Sequence, residues 1–115
     1  MTIPIPPSVN HAYWYKGNKK IRKQPAKDFE KEIAAMLWNC PKFPERKKIV
    51  CEMWFYFGDN RRRDASNTLK IMLDSIERGG LYKDDKYVLP RIMDFYVDRE
   101  NPRVELDFYL KEDKE

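Results

Sequence analysis

Alternating apolar and polar positions predict four strands along the chain. The four segments are residues 2–5, 48–57, 88–97 and 103–110. The second strand is expected to share one face among Ile49, Cys51, Met53, Phe55 and Phe57, and the last among Val104, Leu106, Phe108 and Leu110. Proline cannot donate to a strand ladder, so Pro90 places the third strand at an edge or a bulge. Pro6 and Pro7 end the first strand, which is also expected at an edge.

Apolar residues spaced three and four apart predict two helices. The first runs from Pro25 to about Asn39. The second runs from about Ser66 to Arg78 and ends at the glycine pair that follows. It is expected to bury Leu69, Met72, Leu73 and Ile76. Residues 8–24, between the first strand and the first helix, are expected to form a polar, basic loop.

The predicted order β-α-β-α-β-β indicates an α/β or α+β fold. We expect a four-stranded mixed sheet with two helices packed on it. The chain has 115 residues, of which 42% are hydrophobic. That length is enough for one domain over residues 1–115, and the sequence contains no repeat or linker that would divide it.

Residue usage excludes several classes of protein. The chain has one histidine, His11, and two cysteines, Cys40 and Cys51. These cannot form a disulfide framework or a Cys/His zinc site, so we expect a reduced, cytoplasmic protein. No apolar run approaches the roughly 18 residues of a membrane span, and the first residues lack the basic start of a signal peptide.

Charge is distributed unevenly about a net value of +4. Residues 1–50 carry a net +7, and residues 51–115 a net −3. A basic half is typical of a protein that binds a polyanion, and an acidic half can hold metal-binding carboxylates. A metal-dependent enzyme that acts on nucleic acid needs both features, although many ordinary domains also have them.

The second predicted helix and the turn after it concentrate the candidate chemistry. Asp64 lies at the start of this helix, and its polar face carries Asn67, Lys70 and Asp74. Asp84 and Asp85 follow the next turn. Hydrolysis of a phosphodiester requires carboxylates that hold a divalent metal and a cation that stabilises phosphate charge. Ordinary roles also fit these residues: a first-turn acid, an exposed ion pair and a solvated turn.

Two segments resemble the RusA family of Holliday junction resolvases. One is RRRDASNTLKIMLDSIERGGLYKDDKYV (61–88), and the other is the opening IPIPPSVNHAYW (3–14). The family carries an Arg-rich segment, an Asp-x-Asp-Asn motif, a lysine, an aspartate on the same helix and a later Asp-Asp pair. The resemblance covers nearly the whole chain, and its spacing needs no gap between Asp64 and Asp85.

The resemblance implies a function for each of these positions. Asp64 and Asp85 match the catalytic metal-binding acids, Lys70 matches a catalytic lysine, and Asn67 matches the asparagine of the motif. Asp84, the first of the paired acids, is a further metal-ligand candidate. The implied cofactor is Mg²⁺ or Mn²⁺, with no small-molecule cofactor. The implied partners are a four-way DNA junction and a second copy of the chain, in recombination and repair by a phage, a prophage or a host.

Ser66 departs from the family pattern, because the family has an aspartate at this position. A neutral hydroxyl is a poorer metal ligand than a carboxylate, so metal affinity should fall. Ser66 remains a candidate ligand, acting directly or through a metal-bound water. The alternative is an ordinary role at the start of the helix.

Basic and aromatic residues form a second candidate site, which would bind DNA. The cations are Lys16, Lys19, Lys20, Arg22, Lys23, Arg61, Arg62 and Arg63, and Tyr13 and Trp14 are the aromatic candidates. Cations bind backbone phosphates, and aromatic rings stack on bases at a branch point. The alternative is a solvated basic loop whose aromatic rings pack on the sheet edge.

Three hypotheses about function follow. The first is a metal-dependent endodeoxyribonuclease that resolves four-way junctions. The second is a protein of the same fold that binds branched DNA but cleaves it weakly because of Ser66. The third is an interaction domain that does not bind nucleic acid and whose charges serve solubility.

Overall fold

The computed structural model describes residues 1–7, 13–59 and 66–111, with only the backbone of Tyr13, Trp14, Lys20, Ser66 and Asn67. Its strands are β1 (Thr2–Ile3), β2 (Tyr13–Lys16), β3 (Lys19–Arg22), β4 (Ile49–Phe57), β5 (Val88–Val97) and β6 (Arg103–Leu110). Its helices are α1 (Gln24–Leu37), α2 (Ser66–Arg78) and a 3₁₀ turn at Asp85–Tyr87. The predicted α+β class, with two helices and a four-stranded mixed sheet, is confirmed.

The four-stranded sheet has the order β1-β6-β4-β5. Strand β4 pairs in parallel with β5 and antiparallel with β6, and β1 pairs antiparallel with β6. The sequence predicted edge positions for its first and third strands, which are β1 and β5 of the structure. These edge positions are therefore confirmed. The register between β4 and β5 shifts between Met53 and Trp54, a few residues beyond Pro90.

Strand β4 is central, and its burial follows the predicted alternation. All five residues of its predicted inner face, Ile49, Cys51, Met53, Phe55 and Phe57, are buried. Val50, on the opposite face, is buried as well. On β6, Val104 and Leu106 are buried, whereas Glu105 is half-buried and Asp107 is exposed. The interior of the sheet therefore lies on the face that the sequence predicted.

The segment predicted as a loop contains a β-hairpin. Strands β2 and β3 pair antiparallel, with Tyr13 opposite Arg22 and Lys16 opposite Lys19. The turn between them uses Gly17, whose φ of 61° lies in the left-handed region that glycine adopts without strain. The prediction of a loop over these residues was wrong, because β3 (KKIR) is mostly basic and the three consecutive aromatic residues of β2 (YWYK) show no apolar–polar alternation.

Backbone contacts divide the chain into two compact units. The first consists of Met1–Ile5, Phe43–Arg63 and Tyr82–Glu115 and contains the four-stranded sheet. The second consists of Pro6–Lys42 and Asp64–Leu81 and contains the hairpin and both helices. The assignment of residues 1–115 to a single domain stays a prediction.

Helix α1 has Pro25 in its first turn, where a missing N–H is tolerated. Its buried residues, Ala26, Phe29, Ile33 and Leu37, are spaced three and four apart. Phe29, Ile33 and Leu37 were expected at this spacing, whereas Met36, which was also expected there, is 42% exposed. Helix α2 buries Thr68, Ile71, Met72, Ser75 and Ile76. Leu69 and Leu73, which were predicted in its buried stripe, are half-buried. The observed buried face of α2 is rotated toward Ile71 relative to the predicted face. Tertiary packing determines which of two neighbouring apolar stripes on a helix is buried. No helix in the described part of the chain is long and apolar enough to cross a membrane.

Candidate functional site

Helix α2 carries the middle of the predicted site. It begins at Ser66, as predicted, and Asn67 follows in its first turn. Lys70 is exposed and Asp74 is half-buried one turn later, so the predicted polar face exists at these two positions. The side chains of Ser66 and Asn67, together with all of Asp64 and the cluster Arg61, Arg62 and Arg63, lie outside the described residues.

The end of α2 is fixed by a glycine motif. The N–H of Leu81 donates to the Ile76 carbonyl at 3.3 Å, and the N–H of Gly80 donates to the Glu77 carbonyl at 2.9 Å. This pair of bonds is the Schellman motif, and it requires a left-handed residue at Gly80, whose φ is 90°. The helix therefore stops at a defined residue.

Gly79 allows the two helices to approach closely. A Cβ atom at this position would lie 2.7 Å from Leu37 Cδ1, at the end of α1. That separation is too short for two carbon atoms, so a side chain here would require Leu37 or the adjoining backbone to shift. The glycine pair thus serves two purposes, since one residue permits the turn and the other permits the contact.

Asp84 and Asp85 lie side by side in the turn before β5. Both are half-buried, and their carboxylate oxygens lie within 4.8 Å of each other. Asp84 Oδ1 accepts the backbone N–H of Lys86 at 2.9 Å and so caps the 3₁₀ turn that begins at Asp85. Carboxylate oxygens are the ligands that Mg²⁺ and Mn²⁺ prefer, so the donor set fits such an ion. The structure brings together two of the predicted acids at this turn.

A cavity of about 360 Å³ adjoins this turn in the sheet-containing unit. Its lining residues include Arg46, Lys47, Lys83, Lys86 and Asp84. Lys83 Nζ lies 3.0 Å from Glu45 Oε1, which neutralises part of this positive charge. Among the charged residues that line the cavity, the cations outnumber the acids, so it is suited to an anionic group.

Arg46 in this cavity adopts an unusual backbone conformation. Its φ is 61°, in the left-handed region that a residue with a side chain seldom adopts. The arginine comes just before β4, in the segment Pro44–Glu45–Arg46–Lys47. Arg46 is exposed and lies in a turn, where left-handed residues are most often found.

The β2–β3 hairpin presents predicted DNA-binding residues at its surface. Lys16 and Lys19 are exposed, and they face each other across the turn. Tyr15, which pairs with Lys20, is 62% exposed. Neighbouring residues of a strand point to opposite faces, so Tyr15 lies on the face of the hairpin opposite Lys16 and Lys19. Exposed cations bind backbone phosphates and exposed aromatic rings stack on bases, so each face offers a group that can bind nucleic acid. The side chains of the predicted residues Tyr13, Trp14 and Lys20 lie outside the described part of the chain.

Arg22 and Lys23 differ from the exposed hairpin lysines. Both are half-buried. Arg22 Nη1 donates to Glu30 Oε2 on α1, and Arg78 Nε lies 3.6 Å from the other oxygen of the same carboxylate. Glu30 therefore joins the hairpin, α1 and α2 within their unit. Part of the predicted DNA-binding charge is used for structure at Arg22.

The sequence did not identify several charged residues that line the cavity or lie near the end of α2. Arg46, Lys47 and Lys83 line the cavity beside Asp84, but they come from two segments far apart along the chain. A sequence pattern does not reveal such a grouping, because it depends on tertiary structure. Glu77, half-buried near the end of α2, is a further acid with no motif to mark it.

Comparisons with a family model and with individual known proteins indicate the same family. A family model described as "Endodeoxyribonuclease RusA" matches residues 4–109. The crossover junction endodeoxyribonuclease RusA of Escherichia coli K12 is 27% identical over 94 residues, covering 77% of this chain and 75% of the relative. The protein of the same name from Enterobacteria phage HK97 is 27% identical over 89 residues, covering 73% and 71%. A Shigella sonnei relative is 26% identical over 94 residues, covering 77% and 75%.

Proposed function

The chain belongs to the RusA family of endodeoxyribonucleases, and from that premise we propose that it is a metal-dependent endonuclease that resolves four-way DNA junctions. The observation that carries the proposal is the family match, which extends over residues 4–109 and includes every proposed catalytic position. The relatives' names state cleavage at crossover junctions, an activity of recombination and repair. A phage relative fits a prophage origin.

Asp64 and Asp85 are the proposed catalytic metal ligands, and Ser66 and Asp84 are further candidate ligands. The half-burial of Asp85 beside Asp84 supports the assignment, since two nearby carboxylates are stabilised when they share a cation. When bound, Mg²⁺ or Mn²⁺ supplies an activated water and neutralises phosphate charge. Asp84 also holds the turn in place through its bond to the Lys86 N–H, which orients Asp85.

Lys70 is proposed to stabilise negative charge that develops on the phosphate oxygens during cleavage. Its exposure on α2 supports this role, because the ammonium group is accessible to a bound backbone. Asn67, one turn earlier on the helix, is proposed to donate to the same backbone. Both residues are placed on a helix, which orients side chains more rigidly than a loop does.

The hairpin is proposed to bind the DNA backbone together with Arg61, Arg62 and Arg63. The exposure of Tyr15, Lys16 and Lys19 supports this assignment. Each phosphate contact releases counterions, so affinity should depend steeply on salt. A Lys16→Ala/Lys19→Ala variant should reduce the slope of log Kd against log salt by about two, roughly one for each lysine. Lys48→Ala, a matched exposed lysine outside the hairpin, should leave the slope nearly unchanged.

A homodimer is part of the proposal, because a four-way junction has two-fold symmetry and needs two matched nicks. Two copies related by a two-fold axis would present one site to each of two strands. A DNA substrate and two free thiols fit the predicted cytoplasmic location.

The deciding experiment is cleavage of a labelled mobile four-way junction in Mg²⁺ or Mn²⁺. Paired symmetric nicks are expected, with linear duplex of the same sequence left intact. EDTA, Asp64→Asn and Asp85→Asn should each abolish the nicks, whereas Asp107→Asn, which removes an exposed acid on β6, should not. Cleavage that survives EDTA would contradict the metal mechanism, and no binding at low salt would favour the interaction-domain hypothesis.

The second candidate function is binding of branched DNA with weak cleavage. It is favoured by Ser66, which stands at a family aspartate position and begins a helix, where serine has an ordinary structural role. Ser66→Asp should then raise the cleavage rate strongly without changing junction affinity. If wild type and Ser66→Asp cleave equally, Ser66 does not limit the reaction.

A further inference from the structure

The loops that precede β4 and β5 meet at one edge of the sheet. The two strands run parallel, and their register places Ile49 beside Val88. Because parallel neighbours begin at the same edge, residues 44–48 and 82–87 come together although they are distant in sequence. Both loops line the cavity of about 360 Å³, here termed the cationic cavity. Its charged lining residues are Glu45, Arg46, Lys47, Lys83, Asp84 and Lys86.

The acids of the cationic cavity are already matched by lysines. Lys83 Nζ lies 3.0 Å from Glu45 Oε1, and Lys86 Nζ lies 3.7 Å from Asp84 Oδ2. The remaining charged lining residues are cations, so the lining keeps an excess of positive charge after both acids are paired. Such an excess inside a cavity raises the local concentration of anions.

Arg46 is the cation of this cavity that is best placed to bind a ligand. It is exposed, and it has no hydrogen bond or ion pair with another residue in the described part of the chain. A guanidinium group presents its N–H donors as a planar fork that matches two oxygens of a phosphate. The charge and the donors of Arg46 are therefore available to an anion that enters the cavity.

The size and the walls of the cavity fit more than a bare ion. Cavities that bind small molecules have volumes of roughly 300–1,000 Å³, and this volume lies within that range. Two lining residues, Ile49 and Tyr82, are buried, and Tyr87 is half-buried. The ring of Tyr82 packs on that of Phe108 with centroids 6.3 Å apart, so this wall is held by the sheet. Cations beside aromatic and aliphatic walls suit a phosphate that carries a sugar.

Asp84 connects the cationic cavity to the acidic pair. It lines the cavity, and one of its carboxylate oxygens lies within 4.8 Å of one from Asp85, a proposed metal ligand. Successive phosphates of one DNA strand are separated by roughly 3.4 Å along the helix axis. A strand whose cut phosphate lies at Asp85 would therefore bring a neighbouring phosphate to the cavity.

We propose that the cationic cavity binds a backbone phosphate of the cleaved DNA strand, next to the phosphate that is cut, and that Arg46 is its principal ligand. Lys47 and Lys86 add positive charge around the same phosphate. The inference rests on the proposed function for the identity of the strand. Its tests measure binding in the absence of metal, so that their outcome is separate from that of cleavage.

The first test is binding of thymidine 5′-monophosphate to the full chain in EDTA, followed through the NMR shifts of the backbone amides. Wild type should show shifts concentrated at residues 45–49 and 83–88. Inorganic phosphate should compete for the site, and thymidine without a phosphate should not bind. Arg46→Asn should weaken binding by about tenfold, because it removes a hydrogen bond between charged groups. Asparagine tolerates the left-handed backbone of this position, so the change adds no strain.

Two variants serve as matched controls. Arg99→Asn makes the same change at an exposed arginine beyond the opposite end of β5, and it should leave binding unchanged. Lys83→Gln removes a lysine of the same cavity that already pairs with Glu45, so it should weaken binding less than Arg46→Asn does. Urea unfolding of each variant checks that the chain is folded.

The second test locates the bound phosphate on the DNA. In EDTA, each phosphate near the branch point of a four-way junction is replaced in turn by a neutral methylphosphonate. One replacement beside the cut position should weaken wild-type binding by about the same factor as Arg46→Asn. Combining that replacement with Arg46→Asn should cost little more, because both changes remove the same contact.

Three results would overturn the proposal. They are nucleotide shifts that lie outside the two loops, equal binding by wild type and Arg46→Asn, and a combined loss that equals the product of the single losses at every phosphate. A chain that binds the nucleotide through Arg46 but does not cut junctions would contradict the proposed function while leaving this phosphate site intact. An Arg46→Asn variant that cuts junctions with an unchanged KM would do the reverse.

Discussion

Strands β5 and β6 flank the same central strand, yet they differ in how far they are buried. Leu106 on β6 and Ile92 on β5 both pair with Met53 and share its face. Leu106 is 4% exposed, whereas Ile92 is 37% exposed. The difference arises because β6 has a strand on each side and β5 pairs only with β4 in the described sheet. Apolar character alone does not say whether a strand is interior or at an edge.

The outer face of the sheet connects the two flanking strands through one row of side chains. Arg103 on β6 stacks on Tyr56 of β4, with its guanidinium carbon 3.8 Å from the ring centroid. Tyr56 in turn stacks on Tyr96 of β5, with centroids 4.9 Å apart. This row shows that β5 is attached to the sheet by side chains as well as by backbone. Its exposure is therefore a property of an ordered edge.

The largest expected effect is on the stability of the sheet. Leu106→Ala should lower the free energy of unfolding by roughly 2–5 kcal/mol, because it opens a cavity beside Met53. Ile92→Ala should cost about 1 kcal/mol or less, because the side chain is already partly in water. Urea unfolding, at protein concentrations low enough to keep the chain monomeric, measures both losses of unfolding free energy. Equal losses would contradict the distinction between interior and edge strands.

The next effect concerns the row of stacked side chains. Arg103 Nη1 donates to Asp98 Oδ2 at 2.7 Å, and its Nε donates to Glu105 Oε1 at 3.3 Å. Arg103→Lys keeps the positive charge, but lysine cannot stack on Tyr56 as a planar group or donate to Asp98 and Glu105 at once. The midpoint temperature of thermal unfolding should therefore fall. Lys111→Arg, a lysine–arginine exchange just beyond β6, is the control. An unchanged midpoint for Arg103→Lys would show that the stack adds nothing to the attachment of the strands.

A smaller effect is expected in the pH dependence of stability. The hydrogen bond from Arg103 holds the pKa of the Asp98 carboxyl below its ordinary value, and the N–H groups of Asn101 and Glu100 lower it further. A folded-state pKa below that of the unfolded chain gives stability that is present above the unfolded value, near pH 4, and is lost as the pH falls through the folded value. Thermal unfolding of wild type and Asp98→Asn between pH 7 and pH 2 measures this. Wild type should be more stable than Asp98→Asn at neutral pH and should lose this advantage near pH 2. A difference in stability that stays constant with pH would contradict the prediction.

The smallest effect is on thiol reactivity. Burial, followed by the charges of Asp107 and Glu52, raises the pKa of Cys51 to about 12, whereas Cys40 is exposed. A thiol reagent at pH 8 should therefore label Cys40 quickly and Cys51 only when the sheet opens. Cys51 lies between Pro90 of β5 and Phe108 of β6. Leu106→Ala should accelerate its labelling more than Ile92→Ala does, and the reverse order would show that β5 controls opening.

Local elements were predictable from the sequence because their signals are local. The bounds predicted for α2, β5 and β6 agree with the structure, since each is enclosed by glycine, proline or charged turn residues. The hairpin was missed, although Gly17–Asn18 between two four-residue strands is a recognisable turn signal. The sheet order was not predictable, because it depends on pairing between distant segments.

The candidate site was predictable to a similar degree. Asp84 and Asp85 are adjacent in sequence, so their proximity required no knowledge of the fold. Arg46 and Lys83 line one cavity although 36 residues separate them, and only the folded chain brings them together. The faces of Arg91 and Asp94 were also hidden, because a bulge in β5 shifts the alternation of the strand by one residue.

The position of β6 in the sheet has a consequence for the order in which the protein is made. Ile3 of β1 pairs with Val104 of β6, about a hundred residues later. At roughly 5–20 residues per second, synthesis takes about 5 to 20 seconds to cover that distance. During that interval β1 lacks its partner, and β4, which is complete only at Phe57, lacks its antiparallel neighbour for about the second half of it. The nascent chain therefore exposes apolar β4 until its last described strand emerges, and this is the period in which chaperones would protect it.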